Sequence, residues 1–140
     1  MKKLQFDRGV REYKLGQGIL RFSPADPNLF LRFMEAGEKM RDLQNGLVSE
    51  SDSTGASAVK LLEKADRQMK ELLNWVFGEE NDFHALLGGV NLLAVGSNGQ
   101  RVIENLLDVL QPVLLEGAKA CAQSQTQMAV AKAKSRREAQ

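Results

Sequence analysis

Ile19-Leu20-Arg21-Phe22-Ser23-Pro24-Ala25-Asp26-Pro27-Asn28-Leu29-Phe30 is the stretch that decides how this chain is built. Its first four residues are β-formers. Asp26 then offers a carboxylate to the free N–H groups of a first helical turn, and Pro27 has no N–H to lose at that position. The chain passes from strand to helix here. Beyond it the apolar residues Leu29, Phe33, Ala36, Met40 and Leu43 recur at steps of three and four, one face of a helix. Phe30 and Met34 widen that face, and Asn45-Gly46 is expected to end it.

Upstream, Leu4-Gln5-Phe6 alternates before Arg8-Gly9 interrupts. Val10 to Leu15 carries β-formers, and Gly16-Gln17-Gly18 is a further break. Short strands separated by glycine turns predict a hairpin or a three-stranded meander over residues 3–22. Two strands alone are marginal in water, so they must lean on the helices.

Downstream, the Ser-, Gly- and Asp-rich residues 46–57 predict a flexible loop. A second helix is expected from about Ala58 to Phe77, burying Val59, Leu62, Met69, Leu72 and Val76 and stopped by Gly78. Glu63 with Arg67 and Asp66 with Lys70 form i,i+4 charge pairs on its other faces. Glu79-Glu80-Asn81-Asp82 opens a short helix through Phe83–Leu87, stopped by Gly88-Gly89. Ser97 and Gln100 form a capping box for a last helix, with Val102, Leu106, Leu110 and Val113 as its stripe and Pro112 as a kink.

The fold class is therefore α+β and predominantly α: an N-terminal antiparallel hairpin or meander, then about four helices. Residues 1–116 form one domain (β-like 3–22, helical 26–116, flexible loop 46–57). Residues 117–140 form an Ala/Gln-rich basic tail, helical or disordered, because bulky anchoring side chains become scarce there.

The chain has 140 residues, one cysteine (Cys121) and one histidine (His84). One cysteine excludes an internal disulfide framework and multi-cysteine zinc motifs. The longest apolar stretch, residues 85–96, is about half a membrane span, and the N-terminus lacks the apolar core of a signal peptide. These features predict a cytoplasmic protein without membrane segments, cofactors or metal.

The candidate sites are few. Gly16-x-Gly18 lacks the third glycine and the following helix of a dinucleotide loop, so a turn is expected. His84 lies among Glu79, Glu80 and Asp82 without a second imidazole or thiolate. Acids at a helix start serve the macrodipole equally well, and the structural role is expected. Cys121 sits between alanines with no general base beside it, and is expected to be a small packed residue. No catalytic constellation remains, so the chain reads as a non-enzyme. Trp75-Val76-Phe77 cannot all face one way, so a large apolar group is expected at the surface. Phe30, Met34, Trp75 and Phe77 are the candidate partner-binding residues.

The order of elements resembles the tail assembly chaperones of long-tailed phages and of prophages in Gram-positive bacteria. The likeness spans about residues 3–116. It rests on the β-like opening Leu4-Gln5-Phe6 to Tyr13-Lys14-Leu15, on Asp26-Pro27-Asn28-Leu29-Phe30-Leu31-Arg32-Phe33, and on the helix ending in Trp75-Val76-Phe77-Gly78 before acidic residues. Leu86-Leu87-Gly88-Gly89-Val90-Asn91, leading to the final helix Val102–Leu115, completes it. The resemblance implies a non-enzymatic chaperone that binds the tape measure protein, shields its apolar surfaces and helps recruit tail-tube subunits. The contact implied is a partner helix laid on an exposed apolar face.

A net charge of +1 divides into opposed blocks: +4 over residues 1–22, −7 over 23–116 and +4 over 117–140. The near-neutral total argues against a dedicated duplex-DNA binder. The basic run Lys132, Lys134, Arg136, Arg137 nonetheless leaves a nucleic-acid-associated or regulatory role as the alternative, although no aromatic residue is interleaved for base stacking. The opposed blocks also predict homo-oligomerisation or intrachain docking of the basic ends on the acidic body, weakened by salt.

Overall fold

Leu15 and Gly18 close a tight antiparallel hairpin between β1 (Arg11–Leu15) and β2 (Gly18–Phe22), in a computed structural model that describes residues 1–49 and 55–138. Four helices follow: α1 (Pro27–Ser49), α2 (Ala56–Phe77), α3 (Phe83–Leu86) and α4 (Val102–Glu138). The architecture is α+β and predominantly helical, as expected. Gly16 takes φ +59°, which a first central residue of a two-residue hairpin loop requires. A Cβ on Gly16 would lie 2.9 Å from the Leu86 carbonyl oxygen, and one on Gly18 would run into the Leu86 side chain. The turn is thus pressed against α3.

The described residues contain no third strand. Leu4 and Phe6 are 83% and 79% exposed, so the meander alternative gives way to the hairpin. Three alternating residues with no strand to pair against leave their backbone groups to water. This opening segment is held instead by the Ser23 hydroxyl donating to the Arg8 carbonyl, and by the Gly9 N–H donating to Asp7.

Asp26 caps α1: its Oδ1 accepts the Asn28 N–H at 2.9 Å. The core face of α1 is Leu29, Phe33, Ala36 and Met40, as read. Met34 departs from it and is 55% exposed, because residue 34 sits about 100° or more around the helix from the Leu29–Phe33 row. Asn45-Gly46 does not end the helix, which continues to Ser49. Leu43 and Leu47 still pack on the core there, and that burial outweighs the weak helix propensity of Asn and Gly. Of the loop expected over 46–57, residues 46–49 belong to α1 and 56–57 to α2, and 50–54 lie outside the described residues.

The buried face of α2 is Ala65, Met69, Leu73, Val76 and Phe77, with Leu62 and Leu72 half-buried. Val59, expected inside, is 65% exposed, since at about 100° per residue it sits about 80° around the helix from Met69 at the centre of the buried face. Gly78 ends the helix, its N–H donating to the Asn74 carbonyl.

The final helix starts at Val102, not at Ser97. Residues 96–100 form a tight turn instead: the Gly96 N–H donates to the Gln100 carbonyl, and Asn98 Oδ1 accepts the Gln100 N–H. The first donors of α4 are satisfied from outside the helix. The Val102 N–H donates to the Ala94 carbonyl and the Ile103 N–H to the Leu92 carbonyl, both at 2.8 Å, so no capping box is needed. Ile103, Leu106, Leu110 and Leu114 form the buried stripe, with Val102 and Val113 half-buried. The helix runs on through Pro112. At Gly117 a Cβ would collide with the Pro24 carbonyl, so α4 lies directly on the strand-to-helix junction. Past Cys121, residues 122–138 are helical and exposed throughout. The proposed boundary at 116/117 therefore falls inside one continuous helix.

Candidate functional site

The last turn of α2 distributes four consecutive side chains to three tasks. Asn74 accepts the Phe83 N–H at 2.8 Å and so starts α3. Val76 and Phe77 enter the core. Trp75 is left on the outer surface, 46% exposed, with the Lys39 ammonium 5.5 Å from its ring centroid. Lys39 in turn pairs with Glu35 at 3.5 Å. The indole is thus braced from α1 by Lys39 and stays about half exposed.

Of the four candidate partner-binding residues, the structure exposes two. Phe77 is 5% exposed and is withdrawn from the surface. It lies in a file of rings, with Phe22 at 5.0 Å edge-on and Phe83 at 5.4 Å; Tyr13 stacks on Phe22 at 4.9 Å. These contacts tie hairpin, α2 and α3 together. Phe30 is half-buried against the core. Met34 and Trp75 are both exposed but are not brought together. Met34 lies about 140° around α1 from Lys39, the residue that reaches Trp75.

The segment after α2 is fixed by two polar anchors. Asn81, 2% exposed, donates from Nδ2 to the Arg21 carbonyl at 2.7 Å and to the Phe77 carbonyl at 2.8 Å, and accepts the Arg21 N–H at 2.8 Å. Its amide thus acts as a one-residue strand on the free side of β2. The second anchor corrects the expectation of a solvent-facing charge pair. Lys70 and Asp66 do meet, at 3.1 Å, but their side chains are only 4% and 15% exposed. Lys70 Nζ also donates to the Val90 carbonyl, and Asp66 Oδ1 accepts the Leu92 N–H, each at 2.8 Å. Buried charges persist where every lone pair and proton finds such a partner. Lys70 Nζ has two acceptors and each Asp66 oxygen has a donor, which makes the pair a clamp for residues 90–92. Glu63 and Arg67 form no ion pair among the described residues.

The remaining chemical candidates take structural positions. Asp82 caps α3 by accepting the His84 N–H at 3.0 Å, and the His84 side chain is exposed. Cys121 is half-buried on α4. Among the described residues no group of three or more His, Cys, Asp or Glu side chains is placed to hold a metal ion. No helix among them is long and apolar enough to cross a membrane. Lys132, Lys134, Arg136 and Arg137 lie on the exposed end of α4, spread around the helix rather than along one edge. Asn81 and Gly117 carry no local sequence signal, and the spacing of Lys70 from Asp66 signals their pairing but not their hold on residues 90–92, because these contacts reach segments distant in the chain.

The chain matches no protein-family model, no curated protein and no solved structure.

Proposed function

We propose that this chain is a non-enzymatic tail assembly chaperone of the long-tailed phage type, acting in the bacterial host cytoplasm. It binds the tape measure protein and helps recruit tail-tube subunits during tail morphogenesis. The reading rests on the resemblance over residues 3–116. The structural observation that supports it is Trp75, a rigid aromatic group displayed on the α1–α2 surface and steadied by Lys39. Half-exposed aromatics of this kind serve as anchors for apolar partner helices, and tryptophan is the residue most enriched among such anchors. A tape measure protein is a long helix whose apolar side chains need cover until tube subunits surround it.

Trp75 is also the chain's one tryptophan, so its fluorescence reports directly on this surface. Titration with helical segments of the tape measure protein is expected to shift its emission to shorter wavelength as water leaves the indole. Binding that leaves the emission unchanged would place the contact elsewhere, and no binding at all would remove the reading.

A second reading, a nucleic-acid-associated protein, is favoured by the four basic residues on the exposed end of α4. Salt-sensitive retention on DNA would support it.

A further inference from the structure

The exposed end of α4 poses a problem that its own body does not solve. Residues 122–138 continue a helix whose first half is packed on the core, so they project about 25 Å beyond Cys121. A straight helix cannot turn back on the body that launches it. Its sequence carries few bulky side chains, and a helix of this length is marginal in water without packing.

Its exposed face nevertheless has a pattern. Met128, Lys132 and Arg136 follow one another at intervals of four residues and form a single ridge, with Met128 54% exposed. The outer face of α1 carries a ridge with the same spacing: Met34, Glu38 and Asp42, all exposed. Rows at this spacing are the ridges of the commonest class of helix–helix packing. Laid parallel, the two ridges set methionine beside methionine and each cation beside a carboxylate. Among the described residues none of Glu38, Asp42, Lys132 and Arg136 has an ion-pair partner, whereas Lys39 on α1 is occupied by Glu35 and Trp75.

We infer that the end of α4 docks in trans on the outer face of α1 in a second copy of this chain, through the ridge Met128–Lys132–Arg136 against Met34–Glu38–Asp42. The contact joins a segment of net positive charge to a body of net negative charge, which steers encounter and fixes register. It does not depend on the tape measure reading, since its ridges include neither Trp75 nor Lys39.

The test uses the full-length chain and two charge-reversed variants, the arm variant Lys132→Glu/Arg136→Glu and the body variant Glu38→Lys/Asp42→Lys. Sedimentation equilibrium at low salt is expected to show concentration-dependent self-association of the wild type, weakened at high salt. Each variant alone should associate roughly tenfold or more weakly, because like charges then face each other. Mixed in equal amounts, the two variants should associate again. The acidic arm of one then meets the basic body of the other, and the native basic arm meets the native acidic body. Circular dichroism matching the wild type shows that each variant is folded, and recovery on mixing shows it independently. A wild-type chain that stays monomeric overturns the inference, including one that is retained on DNA through the same arm. So do variants that associate like the wild type, or a mixture that stays monomeric.

Discussion

The side-chain amide of Asn81 hydrogen-bonds both the N–H and the carbonyl of Arg21, at 2.8 and 2.7 Å, and so completes the outer side of β2 where no further strand is present among the described residues. Two strands cannot stand alone in water. Asn81, together with the ring file from Tyr13 to Phe83, makes the hairpin part of the helical body. Asn81→Ala would leave the part-buried backbone groups of Arg21 and the buried Phe77 carbonyl short of a partner. The expected cost is about 2–4 kcal/mol, read as a lower urea midpoint with unchanged slope. A loss below about 0.5 kcal/mol would show that water replaces the amide at no cost.

The clamp between Lys70 and Asp66 gives a second expectation. Lys70→Met removes the donor to the Val90 carbonyl and leaves the Asp66 carboxylate enclosed without its cation. A loss of about 3–5 kcal/mol is expected. Adding Asp66→Asn removes the unpaired charge, so the double variant should lose clearly less than the sum of the two single losses. Strict additivity in urea unfolding would show that the two groups act independently.

Gly117 offers a test of sign. In an open helical position Gly→Ala stabilises by about 0.5–1 kcal/mol, and Gly37 in α1 has nothing within 4 Å of where a Cβ would stand. Gly37→Ala is therefore expected to raise the melting temperature. At Gly117 the same methyl meets the Pro24 carbonyl, so Gly117→Ala is expected to lower it, by about 1–3 kcal/mol in stability. Two shifts of the same sign would contradict the close contact of α4 with the Pro24–Ala25 junction.

Much of this fold was legible where the signal is local. Asp26-Pro27, Gly16-Gln17-Gly18, Gly78 and Asp82 each act on their immediate neighbours, and each sits where its chemistry predicts. What the sequence concealed depends on contacts across the chain. Asn81 lies in the run Glu79-Glu80-Asn81-Asp82, which reads as a solvated helix start; its role requires knowing that β2 passes beside it. Lys70 and Asp66 have the spacing of a surface pair, and only the return of residues 90–92 buries them. Asn45-Gly46 reads as a stop, yet Leu47 finds the core and carries α1 onward. The candidate site was half legible: Trp75-Val76-Phe77 called for a large apolar group at the surface, but not for which one. Phe77 went inward because Phe22 and Phe83 wait on that side.

Trp75 separates stability from binding. With about half of its surface in water, Trp75→Ala is expected to cost no more than about 1–2 kcal/mol of stability, while weakening capture of an apolar helical partner by about 2 kcal/mol or more. Comparing thermal unfolding with partner affinity for the same variant checks both. Equal affinity of variant and wild type would take the indole out of the interface.

The most direct test of the chaperone proposal is co-expression of this chain with a tape measure protein, followed by size-exclusion chromatography of the soluble fraction. The expected result is a tape measure protein that stays soluble and elutes together with this chain, and that becomes insoluble when the chain is left out. A partner that is insoluble in both cases, with this chain eluting alone, would contradict the proposal.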